Sequence, residues 1–339
     1  MGRFLAYLAL LLSLGIYLFA VVPGGRSFLL SSGVIKDARL LGDVYSLSHL
    51  ADFKHPHPIC SYTATKLSPK KKINLFVIGD SYTQGFTSES YSSQGYLFTH
   101  WDNQSEISLD TTCTNILILE SIERIIWFRF VNAHTDNIVL HSAGANTPKF
   151  TENYHISPLS KVFMGVLAVN DNLEAILFGQ PALWNIMDYK AYMNEHFFGR
   201  INPNAVLSKK KHILYYKDEV NPKEKISSFY PYTEADLSTI VQNMNTVAAA
   251  YSRKGFDKVI YSLIPNKSTI TESEAGYNGL IPNIQANPNR KFEYMDVYAF
   301  LKKQGDAAYL YNDTHWDCPG RYEWLDTVNA RLKSIATLE

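Results

Sequence analysis

Cysteine is scarce in this chain, which has three: Cys60, Cys113 and Cys318. Three thiols cannot all pair with one another and are too few for a disulfide framework, so the fold must rest on a hydrophobic core, with at most one bridge added. Their spacing matches no zinc pattern, and the two imidazoles in the HPHP stretch from His55 to Pro58 read as a surface loop. No metal or cofactor is expected. A surplus of either charge is also missing, because 32 Lys and Arg balance 32 Asp and Glu. Without a net positive field the chain has no means of gathering a phosphate polymer, which argues against nucleic acid as a partner. What is plentiful is apolar material, 46% of 339 residues, ample for a core that excludes water and too much for a disordered chain. Aromatics reach 13%, with 22 Tyr, which suits stacking on sugar rings and equally suits a tyrosine-rich core or surface.

Charge is absent altogether from Phe4 to Val22, a run of 19 residues. As a helix it measures about 28 Å, close to the thickness of a hydrocarbon core. The run is long for the apolar part of a cleaved signal, and no small-x-small site follows it. It reads as an uncleaved signal anchor, with cleavage as the alternative. The remainder is then expected on the far side of the cytoplasmic membrane, single-pass and periplasmic, although Arg3 against Arg26, Lys36 and Arg39 sets no clear charge asymmetry.

The rest reads as strands alternating with helices. Ile73 to Asp80, Asn115 to Glu120, the stretch from Asn137 and DKVIYSLIP from Asp257 are short apolar runs of the kind buried on both faces in a parallel sheet. From Ser121 the spacing of Ile122, Ile125, Ile126 and Phe130 predicts a helix. A second helix is predicted from a Thr233/Asp236 cap through Leu237, Ile240, Val241, Met244, Val247, Ala248 and Tyr251 to a stop at Lys254 and Gly255. A last one follows Pro319, with Leu325, Val328, Leu332 and Ile335 inward. The pattern predicts an α/β fold: three layers, α/β/α, around a mostly parallel sheet. Its divisions are an anchor over 1–25, a membrane-proximal segment over 26–70 and a catalytic domain over 71–339, interrupted by an insertion at about 148–228.

In such sheets chemistry gathers at the C-terminal ends of strands. There Gly79, Asp80 and Ser81 end the first strand, at a strand-to-helix turn that would project the serine hydroxyl. Near the other end, NDTHWDCPG supplies His315 to take the serine proton and Asp313 to hold the imidazole. The chain order, Ser81 first and the Asp313/His315 pair before the final helix, resembles the SGNH, or GDSL, hydrolases. That resemblance implies the flavodoxin-like version of the α/β/α plan and covers Ile73 to about Ile335. The D-x-H-W form at Asp313, His315 and Trp316, the E-S-I-E-R segment at Glu120 to Arg124 and the P-N-K at Pro265 to Lys267 look like alginate O-acetyltransferase-related proteins. Those proteins place D-x-H before G-D-S, whereas here Ser81 comes first. Ordinary SGNH hydrolases carry Asp three residues before His, where this chain has Asn312. No G-x-N-D motif is present, and Gly144 and Asn146 stand in as candidate oxyanion donors.

The resemblance implies O-acyl transfer to a polysaccharide, with a multi-pass membrane acyltransferase supplying the acyl group. A carbohydrate acetyl esterase using the same acyl-Ser81 intermediate is the close competitor, and a noncatalytic glycan-binding component on the same scaffold is a third reading. Two readings stand for each supporting residue. Arg124 either pairs with Glu120 across one helical turn or braces the site and meets an anionic sugar. Lys267 is a substrate-contacting lysine or a surface one. Trp316 packs as a wall of the crevice or stacks on sugar.

Overall fold

A computed structural model describes residues 2–22, 24–36, 41–67, 72–140, 172–173, 176–177, 184–210, 212–272 and 276–338. The chain divides into two compact units, one of Met1–His57 with Tyr154–Val206 and one of Pro58–Asn153 with Leu207–Glu339.

The larger unit is built on five parallel strands. The apolar runs form β1 (Ile73–Gly79), β4 (Thr114–Ile122) and β8 (Lys258–Ile264). The half-buried strand β2 (Gly95–His100) forms one edge and β9 (Glu293–Met295) the other, in the order β2-β1-β4-β8-β9. Register is continuous across the middle: Val77 faces Phe98 on one side and Ile118 on the other, and Ile118 faces Ile260. Counting only these five strands, the order is 2-1-3-4-5, so the direction of winding reverses between β1 and β4. In sheets of this kind ligands bind outside the C-terminal strand ends at such a reversal.

Alternate residues of each strand face opposite ways, and both faces are covered. Leu75, Val77, Ile116, Ile118 and Ile260 pack against the Val297–Gln304 helix and the long Cys318–Leu338 helix, whose Trp324, Leu325 and Val328 are fully buried. Phe76, Ile78, Leu117, Leu119 and Tyr261 pack against the Glu234–Arg253 helix through Leu237, Ile240, Val241 and Met244. Three layers result, each buried large side chain contributing about 1.5–3 kcal/mol. The Glu234–Arg253 helix starts at a capping box in which Thr233 and Asp236 satisfy each other's N–H groups. It ends before Gly255, whose φ of 103° suits glycine.

Local departures from the sequence reading have physical causes. β4 runs on through Ile122, and only a 3-10 turn (Glu123–Ile125) and a short helix (Ile126–Phe130) follow. The apolar spacing there serves strand end and helix at once. The strand from Asn137, β5 (Ile138–Leu140), pairs with β3 (Ser105–Ile107) in a separate two-stranded sheet. Two further short strands, β6 (Ala205–Leu207) and β7 (Leu214–Tyr216), flank Lys209 and Lys210. Of the expected insertion, 148–171, 174–175, 178–183 and 211 lie outside the described residues.

A single disulfide joins Cys60 to Cys318, at a Cα separation of 5.4 Å and a sequence separation of 258, and Cys113 is free. The bridge fastens the chain ahead of β1 to the first residue of the last helix.

In the smaller unit, Gly2–Val21 forms a 20-residue helix long and apolar enough to cross a membrane. Its Ala20 packs with Leu29, Ile35 and Ile176. A separate helix, Trp184–Phe198, is held through Asp188, whose carboxylate accepts from Tyr45 Oη at 2.8 Å and Lys54 Nζ at 2.5 Å.

Candidate active site

Three residues drawn from the two ends of the larger unit meet beyond the C-terminal end of β1. Ser81 Oγ lies 2.8 Å from His315 Nε2, and His315 Nδ1 lies 2.6 Å from Asp313 Oδ1. The same carboxylate oxygen accepts the backbone N–H of His315 at 2.8 Å. Asp313 therefore fixes both the ring and the main chain of its partner, which their spacing of two residues allows. Ser81 is exposed, the His315 side chain is 31% exposed and Asp313 is buried, so the row of contacts runs from solvent inward.

Ser81 owes its position to the end of β1. The Asp80 carbonyl accepts the N–H groups of Thr83 and Gln84, and the Asp80 side chain accepts that of Tyr82, so the chain turns sharply just past Gly79. A turn follows Ser81 rather than the expected helix. Asp80 Oδ2 also accepts from Ile122 N–H and from Arg129 Nη1, both at 3.2 Å, which ties the turn to β4. Glu120, fully buried on β4, accepts the Asp80 N–H at 2.8 Å and the Thr83 hydroxyl at 3.0 Å. Burial, followed by the nearby Asp80 charge, pushes the Glu120 carboxyl well above the usual range. Gly79 makes this approach feasible, since a Cβ there would lie 2.2 Å from Thr83 Oγ1 and 2.7 Å from Glu120 Oε2. The backbone N–H of Ser81 makes no hydrogen bond among the described residues.

The loop carrying Asp313 and His315 is closed by an antiparallel bridge between Tyr309 and Trp316, with Leu310 N–H donating to the His315 carbonyl at 3.1 Å. Beneath it, Lys267 is completely buried and donates to the carbonyls of Asp313 at 2.7 Å and Leu310 at 3.1 Å. Tyr82 donates to the Thr314 carbonyl, and its ring lies 4.7 Å from the imidazole. Arg124 Nη2 donates to Thr314 Oγ1 at 3.4 Å, and Nη1 lies 3.8 Å from Glu219 Oε2.

Comparisons with protein-family models, curated proteins and solved structures found no match.

The supporting residues behave differently from several expectations. Glu120 and Arg124 do not pair, because Glu120 is on a strand and points at the Ser81 turn, while Arg124 lies in the 3-10 turn that follows and reaches the His315 loop. Arg124 thus contacts the loop that carries Asp313 and His315 and lies beside Glu219. Lys267 is neither a surface lysine nor one exposed to substrate, since its amine is spent on loop carbonyls inside the protein. Trp316 is buried, edge-on to Tyr82 and tilted against Trp324, so it packs as a wall. Gly144 and Asn146 lie outside the described residues.

Sequence reasoning assigned no role to Asp80, Glu123, Arg129, Glu219 or Asn266. Glu123 Oε2 accepts from Asn266 N–H at 2.9 Å and Thr269 Oγ1 at 2.5 Å, while Glu219 Oε1 accepts from Ser268 N–H and hydroxyl, both at 2.9 Å. Together they form a buried polar seam linking the ends of β4 and β8, and Asn266 extends it by accepting the Arg124 N–H at 3.0 Å. The available signal was polar residues crowded at the ends of otherwise apolar strands. As for metals, Asp317 adjoins the sulfurs of Cys60 and Cys318, but these are bonded to each other and offer no thiolate.

Proposed function

We infer that the protein is a membrane-anchored serine acyl-transfer enzyme of the SGNH type, acting outside the cytoplasmic membrane on a polysaccharide. The observation that carries this reading is the unbroken path from Ser81 Oγ through the His315 ring to Asp313, at 2.8 and 2.6 Å, at the C-terminal end of β1. The strand order 2-1-3-4-5 agrees with it, being the flavodoxin-like plan that the SGNH resemblance implies. An internal disulfide suits an oxidising compartment, and the Gly2–Val21 helix suits an anchor.

In this scheme Ser81 Oγ attacks the carbonyl carbon of an acyl donor while its proton passes to His315 Nε2. The charged oxygen of the tetrahedral intermediate meets the Ser81 N–H. As the bond to the donor oxygen breaks, His315 returns the proton to that oxygen and an acyl-Ser81 ester remains. A sugar hydroxyl then gives its proton to His315 and attacks the ester carbon, and Ser81 leaves with the proton restored. Asp313 stays ionised throughout and stabilises the imidazolium.

The experiment presents a chromogenic acetyl ester with and without an acidic oligosaccharide. The expected result is acetylated oligosaccharide together with a covalent acetyl mass on the peptide containing Ser81, both lost in Ser81→Ala. Acetate without acetylated acceptor would identify an esterase, and equal turnover by wild type and Ser81→Ala would remove the reading.

A further inference from the structure

The Trp184–Phe198 helix is amphipathic in the inverted sense. Its polar Asp188 is buried, whereas Ile186, Tyr189, Met193 and Phe197, at successive spacings of three, four and four, are 48%, 72%, 47% and 63% exposed. These residues fall on one stripe, widened by Tyr192, which is half exposed and stacked on His196. A helix on the surface of a water-soluble body carries its apolar stripe inward. A continuous apolar stripe turned outward needs a nonaqueous neighbour.

We propose that this stripe lies in the membrane interface, on the lipid surface that the Gly2–Val21 helix crosses. The proposal rests on reading Gly2–Val21 as the anchor. Lipid is favoured as the occupant by reach. Ile176 shares a buried cluster with Ala20, next to the end of the membrane-length helix, and Trp184 follows eight residues later. Eight residues span at most about 29 Å, so the aromatic helix begins within that distance of the point where the anchor leaves the bilayer. Its composition fits the same place. Tyrosine rings with one apolar and one wet end favour the headgroup level, and exposed Lys190 and Arg200 flank the stripe where anionic headgroups would meet them. Asp188, Tyr45 and Lys54 set the rotation of the helix, so the aromatic face is turned outward before any lipid is met.

The test uses the full-length chain in nanodiscs containing anionic phospholipid, with Cys113→Ser removing the free thiol. A nitroxide is placed by Met193→Cys, independently by Tyr189→Cys, and at the margin by Asn194→Cys. Collisions with oxygen, which enters lipid, are compared with those of a water-soluble nickel chelate. At 193 and 189 oxygen should dominate, and at 194 the order should reverse. Dominance of the chelate at 193 and 189 would overturn the proposal, and exclusion of both reagents would overturn it in favour of a protein partner covering the stripe. A label at Leu12→Cys reports the anchor separately: the chelate dominating there would remove the anchor reading, whatever positions 189 and 193 show.

Discussion

Lys267 Nζ donates to the main-chain carbonyl of Asp313 at 2.7 Å from inside the protein, so a completely buried amine supports the residue that orients His315. The same amine reaches the Leu310 carbonyl at 3.1 Å, spanning the base of the loop. Lys267→Met keeps the stem and strands both carbonyls. A loss of about 1–3 kcal/mol in unfolding free energy is expected from the unmet groups. Chemical denaturation measures it, and turnover should fall more than the stability loss alone requires.

In the proposed scheme, Asp313→Asn removes the negative charge that the imidazolium needs when the Ser81 proton moves. Turnover of an acetyl ester should drop by about 10⁴-fold, with the unfolding midpoint little changed. Steady-state kinetics beside a thermal melt separates the two effects, and a small kinetic loss would mean that His315 does not work through Asp313.

Stability should depend on pH through Glu123. Burial pushes this carboxyl up to about 7 from a usual value of 4.5, against hydrogen bonds from Thr269 and Asn266 that oppose the shift. Below about pH 4.5 both folded and unfolded chains hold the proton and Glu123 contributes no slope. Between about 4.5 and 7 the folded chain keeps a proton that the unfolded chain releases, so stability falls as pH rises, by about 3 kcal/mol in total from this group. Glu123→Gln should flatten that part of the profile and raise stability at pH 8. Urea titrations at stepped pH provide the check.

Gly79→Ala places a methyl group against Thr83 Oγ1 and Glu120 Oε2 in a packed, fully buried corner. Overpacking of this sort costs about 1–3 kcal/mol. Because Glu120 Oε2, one of the displaced atoms, accepts the Asp80 N–H, the Ser81 turn should shift as well. A lowered thermal midpoint together with reduced labelling of Ser81 by an acyl reagent is the expected pair of results.

Reduction of the Cys60–Cys318 bridge releases the start of the last helix, three residues beyond His315. The loss should be about 2–4 kcal/mol. Cys318→Ala, melted with and without reductant, should resemble the reduced wild type under both conditions, and activity should fall with the bridge.

Much of the architecture was legible because its signals are local. The apolar runs of β1, β4 and β8 can be buried only as central strands, and the Thr233 cap and Gly255 stop bracket their helix. β2 was harder to see: its Tyr96, Leu97 and Phe98 are all half-buried at an edge, so they give neither a continuous core run nor a clean alternation. The continuation of β4 through Ile122 was hidden for another reason. Ile122, Ile125, Ile126 and Phe130 satisfy helical spacing even though the first ends a strand, and only pairing with Ile264 of β8 decides the matter.

At the candidate site, sequence picked out Ser81, Asp313 and His315 by residue type, order and position at element ends. It could not say what Lys267, Glu120 and Arg124 touch, because Glu120 reaches from β4 to the turn after β1, while Lys267 and Arg124 reach a loop more than forty residues beyond β8. A buried amine and an exposed one are the same letter in the chain.

The covalent sequence alone dictated the periodicities that choose strand or helix, the uncharged stretch of membrane length and the presence of a serine, a histidine and an aspartate at chain positions suited to one crevice. Tertiary packing decided which cysteines bond, which carboxyls lose water and hold protons, and which way the Tyr189 stripe faces. Those outcomes follow from desolvation and distance, quantities that exist only once segments remote in the chain have been brought together.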